Sequence, residues 1–237
     1  MNEEMKKYDS YVNDAAEKFK ALMYEQLARV EKINASKEFV DYEKLDKIVI
    51  GVTGGDGIGP TITNAAAGVM ESLLADKIAA GKVEIRYIDG LTIENRVKHM
   101  KAIPDDVMEE IYKCDVILKG PTTTPHPGDG LPNIESANVA MRKALDLFCN
   151  LRPVKIPEEG IDWAFFRENT EGAYAVGSKG VNVTDELATD FVVTTTEGTE
   201  RIARLAYNYA KANGKERVSI ITKANIIKTT DGKFLNI

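Results

Sequence analysis

Cysteine is scarce in this chain: Cys114 and Cys149 are its only two in 237 residues, and neither has a neighbour at metal-ligand or redox spacing. Isolated thiols in apolar runs read as packed interior residues in a reducing compartment. Basic excess is lacking too. A net charge of −6 argues against a nucleic-acid partner, whose footprint is a basic face. No apolar stretch approaches the ~20 residues of a membrane span. The start, Met-Asn-Glu-Glu-Met-Lys-Lys, has no apolar h-region, so no secretory signal is expected. Aromatics are few at 7%, and 18 glycines and 8 prolines are ordinary numbers, which excludes a fibrous or disordered chain. The expectation is a soluble, cytoplasmic protein, 43% apolar, able to bury a core.

Residues 1–34 have the pattern of an amphipathic helix, with Val12, Ala16, Phe19, Met23, Leu27, Val30 and Ile33 recurring at steps of three and four. A polar stretch follows over 35–46. From Lys47 strand and helix patterns alternate. Strands are expected at 48–52, 83–88, 115–118, 163–166 and 218–221, with one or two extended segments in 181–196. Helices are expected at 60–80, 104–113, 138–146 and 197–213, and the opening turns of another near the end. Such alternation means an α/β fold with a largely parallel sheet.

Three segments carry chemistry. Gly54-Gly-Asp-Gly-Ile-Gly-Pro60 follows a strand and opens a helix, a context that suits an anion, but its glycine spacing departs from the dinucleotide fingerprint. Lys119-Gly-Pro-Thr-Thr-Thr-Pro125 follows a strand at the sheet end where ligands bind. Ser136-Ala-Asn-Val-Ala-Met-Arg142, then Arg152, then Arg167 to Tyr174, bring three guanidinium groups, each a bidentate carboxylate binder. Asp185, Glu186 and Asp190 are scattered and read as solvated rather than as a metal site.

Read in order, GDGIGP, KGPTTTP, SANVAMR, LRPV, FRENTEGAY and TKANIIKTTDG resemble the isocitrate/isopropylmalate dehydrogenase family of β-decarboxylating dehydrogenases, from about Lys47 to Ile237. The resemblance implies an incomplete large domain over 47–140, part of a smaller α/β domain over 141–237, and a helical extension with linker over 1–46. It implies Arg142, Arg152 and Arg167 as substrate arginines, Lys119 beside them, and Ser136 and Asn138 as the positions that favour isocitrate over isopropylmalate and homoisocitrate. Serine offers a hydrogen bond to a third carboxylate where an isopropylmalate enzyme carries an apolar residue. Thr123, Thr124 and Asn138 would meet NAD or NADP. Tyr174 and Lys223 would be the acid–base pair, the lysine reaching into a partner subunit's site, hence a homodimer. The family's Mg²⁺ or Mn²⁺ ligands match no residues here; the aspartates that bind it belong to a later segment. An isocitrate dehydrogenase is therefore expected, nearly inactive as this chain alone unless a separate chain supplies the second half. The alternative is a non-catalytic tricarboxylate-binding or regulatory subunit.

Overall fold

The computed structural model describes residues 3–35, 40–126, 128–177 and 179–237. The chain forms two compact units, residues 39–145, and residues 1–38 together with 146–237.

In the 39–145 unit, strands β1 (Ile48–Thr53), β2 (Val83–Tyr87) and β3 (Val116–Lys119) make a parallel sheet of order β2-β1-β3. Ile48 faces Val83 and Ile50 faces Val116 in register. The central strand, Ile-Val-Ile-Gly-Val-Thr, is the unbroken apolar run that a parallel strand requires. Five helices accompany it: α2 (Gly59–Leu73), α3 (Ala75–Ala79), α4 (Ile93–His99), α5 (Asp105–Tyr112) and α6 (Ala137–Ala144). The helix expected over 60–80 is two, because Leu74 leaves helical geometry at φ −103°, ψ 8°. Pro60 sits in the first turn of α2, where a missing N–H costs nothing. The core gathers Ile88, Leu91, Ile103, Val107 and Ile111 against Ala137 and Met141. Those last two, one helical turn apart, fix α6 by one face. Cys114 packs against this core, and burial raises its thiol pKa.

The other unit holds α1 (Asp9–Ala35), β4 (Cys149–Ile156), β5 (Ile161–Glu168), β6 (Val181–Thr184), β7 (Leu187–Thr189), α7 (Thr196–Ala212) and α8 (Thr230–Asn236). Strands β4 and β5 form an antiparallel ribbon in register from Cys149↔Glu168 to Ile156↔Ile161. Strand β4 has no clear strand pattern, since Arg152, Pro153 and Lys155 interrupt it. It forms because β5 supplies the ladder and because proline is tolerated in a strand with one free edge. By the period of two, Asn150, Arg152, Trp163, Phe165 and Arg167 share one face of the ribbon. On the opposite face Phe166 meets Tyr209 of α7 at 5.1 Å between ring centroids.

Two expectations fail here. Residues 218–221 are not a strand: Ile221 is 88% exposed, and no strand among the described residues offers it a ladder. Helix α1 forms, but its buried residues are Leu22 and Gln26, with Phe19 stacked on Phe191 at 4.7 Å. Val12 and Leu27 of the expected stripe are exposed.

Candidate functional site

In the 39–145 unit the loops after β1 and β3 touch backbone to backbone. Gly120 N–H donates to Thr53 O at 2.8 Å and Asp56 N–H to Pro121 O at 2.7 Å. A Cβ on Gly120 would lie 1.9 Å from Gly54 O, one on Gly59 2.1 Å from it, and one on Gly55 2.0 Å from Pro121 O. Gly55 also has φ +69°, a conformation that glycine adopts without penalty. Gly55 and Gly120 thus serve the close approach of the two loops, and Gly59 the tight fold of the first. Asp56 adds the polar lock: its carboxylate accepts from Ile93 N–H and Thr123 N–H, each at 2.7 Å.

Arg96, on α4, is fully buried and completes this frame. Its guanidinium donates to Ala102 O at 2.8 Å, Thr123 O at 2.6 Å and Glu135 O at 3.1 Å. Burial lowers its pKa, and the Asp56 charge works against that. One cation therefore holds both the threonine loop and the residue before Ser136.

Ser136 stands at the N-cap of α6 yet makes no capping bond. A serine there normally gives its oxygen to a helix N–H, so this hydroxyl is left for something else. The Thr124 and Asn138 side chains also make no hydrogen bond among the described residues. Arg142 lies one turn beyond Asn138 and has no carboxylate partner among the described residues. Lys119 donates to Gly120 O at 2.7 Å and to Thr122 Oγ1 at 3.2 Å. Burial, aided by the Arg96 and Arg142 charges, lowers its amine to about 8, against a raising influence from Asp56.

That value carries a prediction. The folded state releases the Lys119 proton near pH 8, whereas the unfolded chain keeps it to about 10.5. Between those limits the unfolded state binds more protons, so stability rises with pH. Below pH 8 both states hold the proton and the cost of burying the ammonium is constant. Urea unfolding should thus show Lys119→Met more stable than the parent at pH 7, by a margin that shrinks from pH 8 to 10. A margin independent of pH would show an ordinary lysine.

In the other unit, Arg152 and Arg167 stand on the same ribbon face. Arg152 Nε donates to Asn150 Oδ1 at 2.8 Å, and Arg167 to Asn169 Oδ1 at 3.3 Å. Both partners are neutral carboxamides. Arg167 lies over the Tyr174 ring at 5.1 Å, within cation–π range. Tyr174 is 37% exposed and its N–H donates to Glu171 O at 3.2 Å. The structure thus brings Arg167 onto Tyr174 and places Arg152 on the same ribbon face as Arg167. It does not bring Lys223 to them: its ammonium makes no contact among the described residues, although Lys223 N–H is fixed by Asp231 Oδ2 at 2.7 Å.

Behind Tyr174 is a buried charge network that the sequence does not signal. Glu171 accepts Thr195 N–H at 3.0 Å and the Thr195 hydroxyl, and that hydroxyl caps α7 through Gly198 N–H at 3.0 Å. Arg201 pairs with Asp146 at 2.7 Å. Glu168, its carboxyl raised by burial, takes the N–H groups of Thr170 and Glu171. No three His, Cys, Asp or Glu side chains gather as metal ligands among the described residues. The described residues therefore do not by themselves fit a resident Mg²⁺ or Mn²⁺. No described helix is long and apolar enough to cross a membrane.

Residues 49–237 match the family model described as isocitrate/isopropylmalate dehydrogenase. The chain is 35% identical over 211 residues to a mitochondrial NAD isocitrate dehydrogenase regulatory subunit of Dictyostelium discoideum, covering 85% of this chain and 53% of that protein. It is 32% identical over 235 residues to an NADP isocitrate dehydrogenase of Staphylococcus epidermidis, covering 86% and 54%. The solved isocitrate dehydrogenase of Methylococcus capsulatus superposes with a TM-score of 0.63 at 32% identity, over 80% of this chain and 55% of that one. The chain spans about half the length of the curated relatives it matches.

Proposed function

Since the chain belongs to the isocitrate/isopropylmalate dehydrogenase family, we propose that it binds isocitrate and supplies part of the machinery that converts it to 2-oxoglutarate. The observation that carries this reading is the set of unneutralised guanidinium groups. Arg29, Arg86, Arg201 and Arg204 all pair with carboxylates. Arg142, Arg152, Arg167 and Arg217 do not, among the described residues, and of these Arg152 and Arg167 share one ribbon face. Two like charges on one ribbon face without counterions, Arg152 and Arg167, favour a ligand with several carboxylates.

In the proposed reaction Thr123, Thr124 and Asn138 would hold NAD or NADP, which would supply the hydride acceptor for oxidation at C2 of the substrate. The C2 hydroxyl gives up its proton, towards which Lys223 of a second copy would be the base in a homodimer. The β-carboxylate then leaves as CO₂, its bonding electrons remain on the enolate, and Tyr174 returns a proton to carbon. Arg152 and Arg167 hold carboxylates through these steps, and the Ser136 hydroxyl with Arg142 holds another. Ser136 supports isocitrate over isopropylmalate, because a free hydroxyl beside an isopropyl group would lose water and gain no partner.

A second reading has support of its own in the Dictyostelium likeness, since that relative is a regulatory subunit. A regulatory chain would bind the tricarboxylate and turn nothing over. Calorimetric titration with isocitrate tests the binding that both readings share. Ser136→Leu should weaken it by about tenfold or more, the scale of one unpaired polar group. Wild-type chain that takes up no isocitrate would sink both.

A further inference from the structure

Helix α1 lies outside the family match, which begins at residue 49, yet it reaches the segment that carries Tyr174. Arg29 Nη1 sits 3.3 Å from Glu171 Oε1, and Nη2 donates to Thr170 Oγ1 at 2.9 Å. Glu171 is 6% exposed, and its own carbonyl receives the Tyr174 N–H. The Thr170 hydroxyl also meets Arg201 Nη2 at 3.0 Å and Glu168 Oε1 at 2.5 Å. Glu168 and Glu171 thus meet one guanidinium group each, Arg201 at 3.6 Å and Arg29 at 3.3 Å, the second of them from the extension. A turn further towards the start, Glu25 pairs with Lys179 at 2.6 Å, and beyond it Phe19 stacks on Phe191.

We propose that Arg29 is a positioning residue: the N-terminal helix sets the turn 169–174, and through it the proton donor Tyr174, by the Arg29–Glu171–Thr170 contact. This rests on the role given to Tyr174 above. Without Arg29, Glu171 has no guanidinium partner, because Arg201 meets Asp146 and Glu168 instead, and Glu171 must turn towards water or take a proton. Either frees the carbonyl turn that fixes the Tyr174 amide.

The test is amide exchange on the whole chain, measured without ligand. Arg29→Met should speed exchange of the Tyr174 amide by about tenfold or more and leave α7 and the β4–β5 ribbon unchanged, as local opening requires. Arg29→Lys, which keeps the charge, should restore most of the protection. Phe19→Ala, which loosens the same helix elsewhere, should leave the Tyr174 amide slow. Unchanged exchange in Arg29→Met, uniform acceleration across the unit, no rescue by lysine, or an equal effect from Phe19→Ala would each overturn the proposal. Isocitrate titration of the same samples keeps the two readings apart: wild type that ignores isocitrate removes the role of Tyr174, whereas the exchange pattern reports on Arg29 alone.

Discussion

Replacing Arg96 by methionine should destabilise the 39–145 unit by about 3 kcal/mol or more, read as a lower urea midpoint at unchanged slope. The side chain is fully buried and donates to three carbonyls, of Ala102, Thr123 and Glu135. A hydrogen bond from a charged donor contributes about 1.5–3 kcal/mol, and methionine fills the volume while satisfying none of the three. Part of the loss is offset, because a guanidinium is costly to bury and a thioether is not. The balance still falls on the side of loss, since carbonyls that keep their burial cannot regain water. Arg96→Lys should lie between, as an ammonium on a flexible stem cannot span three acceptors. Loosening would reach Thr123 and the entry to α6, so isocitrate affinity should fall along with stability. A methionine variant with the parent's midpoint would mean that the carbonyls find water and that the frame around Ser136 is held by packing.

How legible this was depends on how local each determinant is. The parallel sheet was readable because Ile48 to Val52 is an unbroken apolar run, and Pro60 and Pro104 mark helix starts. Strand β4 was not, because its residues meet strand geometry only through pairing with β5, whose partners run from Ile161 opposite Ile156 to Glu168 opposite Cys149. The reverse happened at 218–221, where an apolar run lacks a neighbour to pair with. On α1 the apolar stripe was misplaced by a fraction of a turn. The docked face is chosen by Phe191, Lys179 and Glu171, all more than a hundred residues on, and it buries Gln26 rather than Leu27. The candidate site divides the same way. Arg152 and Arg167 stood out by residue type and Tyr174 through the family resemblance of its segment, and strand alternation accounts for the shared face of the two arginines. Arg96 and Arg29 are single arginines in charged helices with nothing nearby to mark them, and only the fold shows that one meets three carbonyls and the other a buried carboxylate. The glycine loop carried a signal of opposite meaning: its glycines suggest a phosphate cradle, but the space they leave is filled by Gly120 and Pro121.

Tyr174→Phe is expected to lower isocitrate-dependent NAD(P)H formation by about 10²–10⁴-fold, the usual contribution of a positioned proton donor, in the assembly that supports turnover. Isocitrate affinity should stay within about threefold, on physical grounds specific to this site. The Arg167 guanidinium lies over the ring, not the hydroxyl, and a phenylalanine ring keeps that stacking in somewhat weaker form. The hydroxyl itself makes no hydrogen bond among the described residues, so its removal leaves no buried partner stranded. Tyr174→Leu provides the contrast. It removes ring and hydroxyl together, frees Arg167 to move, and should weaken binding as well as rate. A kcat loss in the phenylalanine variant with affinity held, against losses in both for leucine, assigns the proton to the phenol and the carboxylate grip to the arginine. If the phenylalanine variant turned over at the parental rate, Tyr174 would be only a platform for Arg167. If no assembly containing the chain turned over while isocitrate still bound, the regulatory reading would stand in place of the catalytic one.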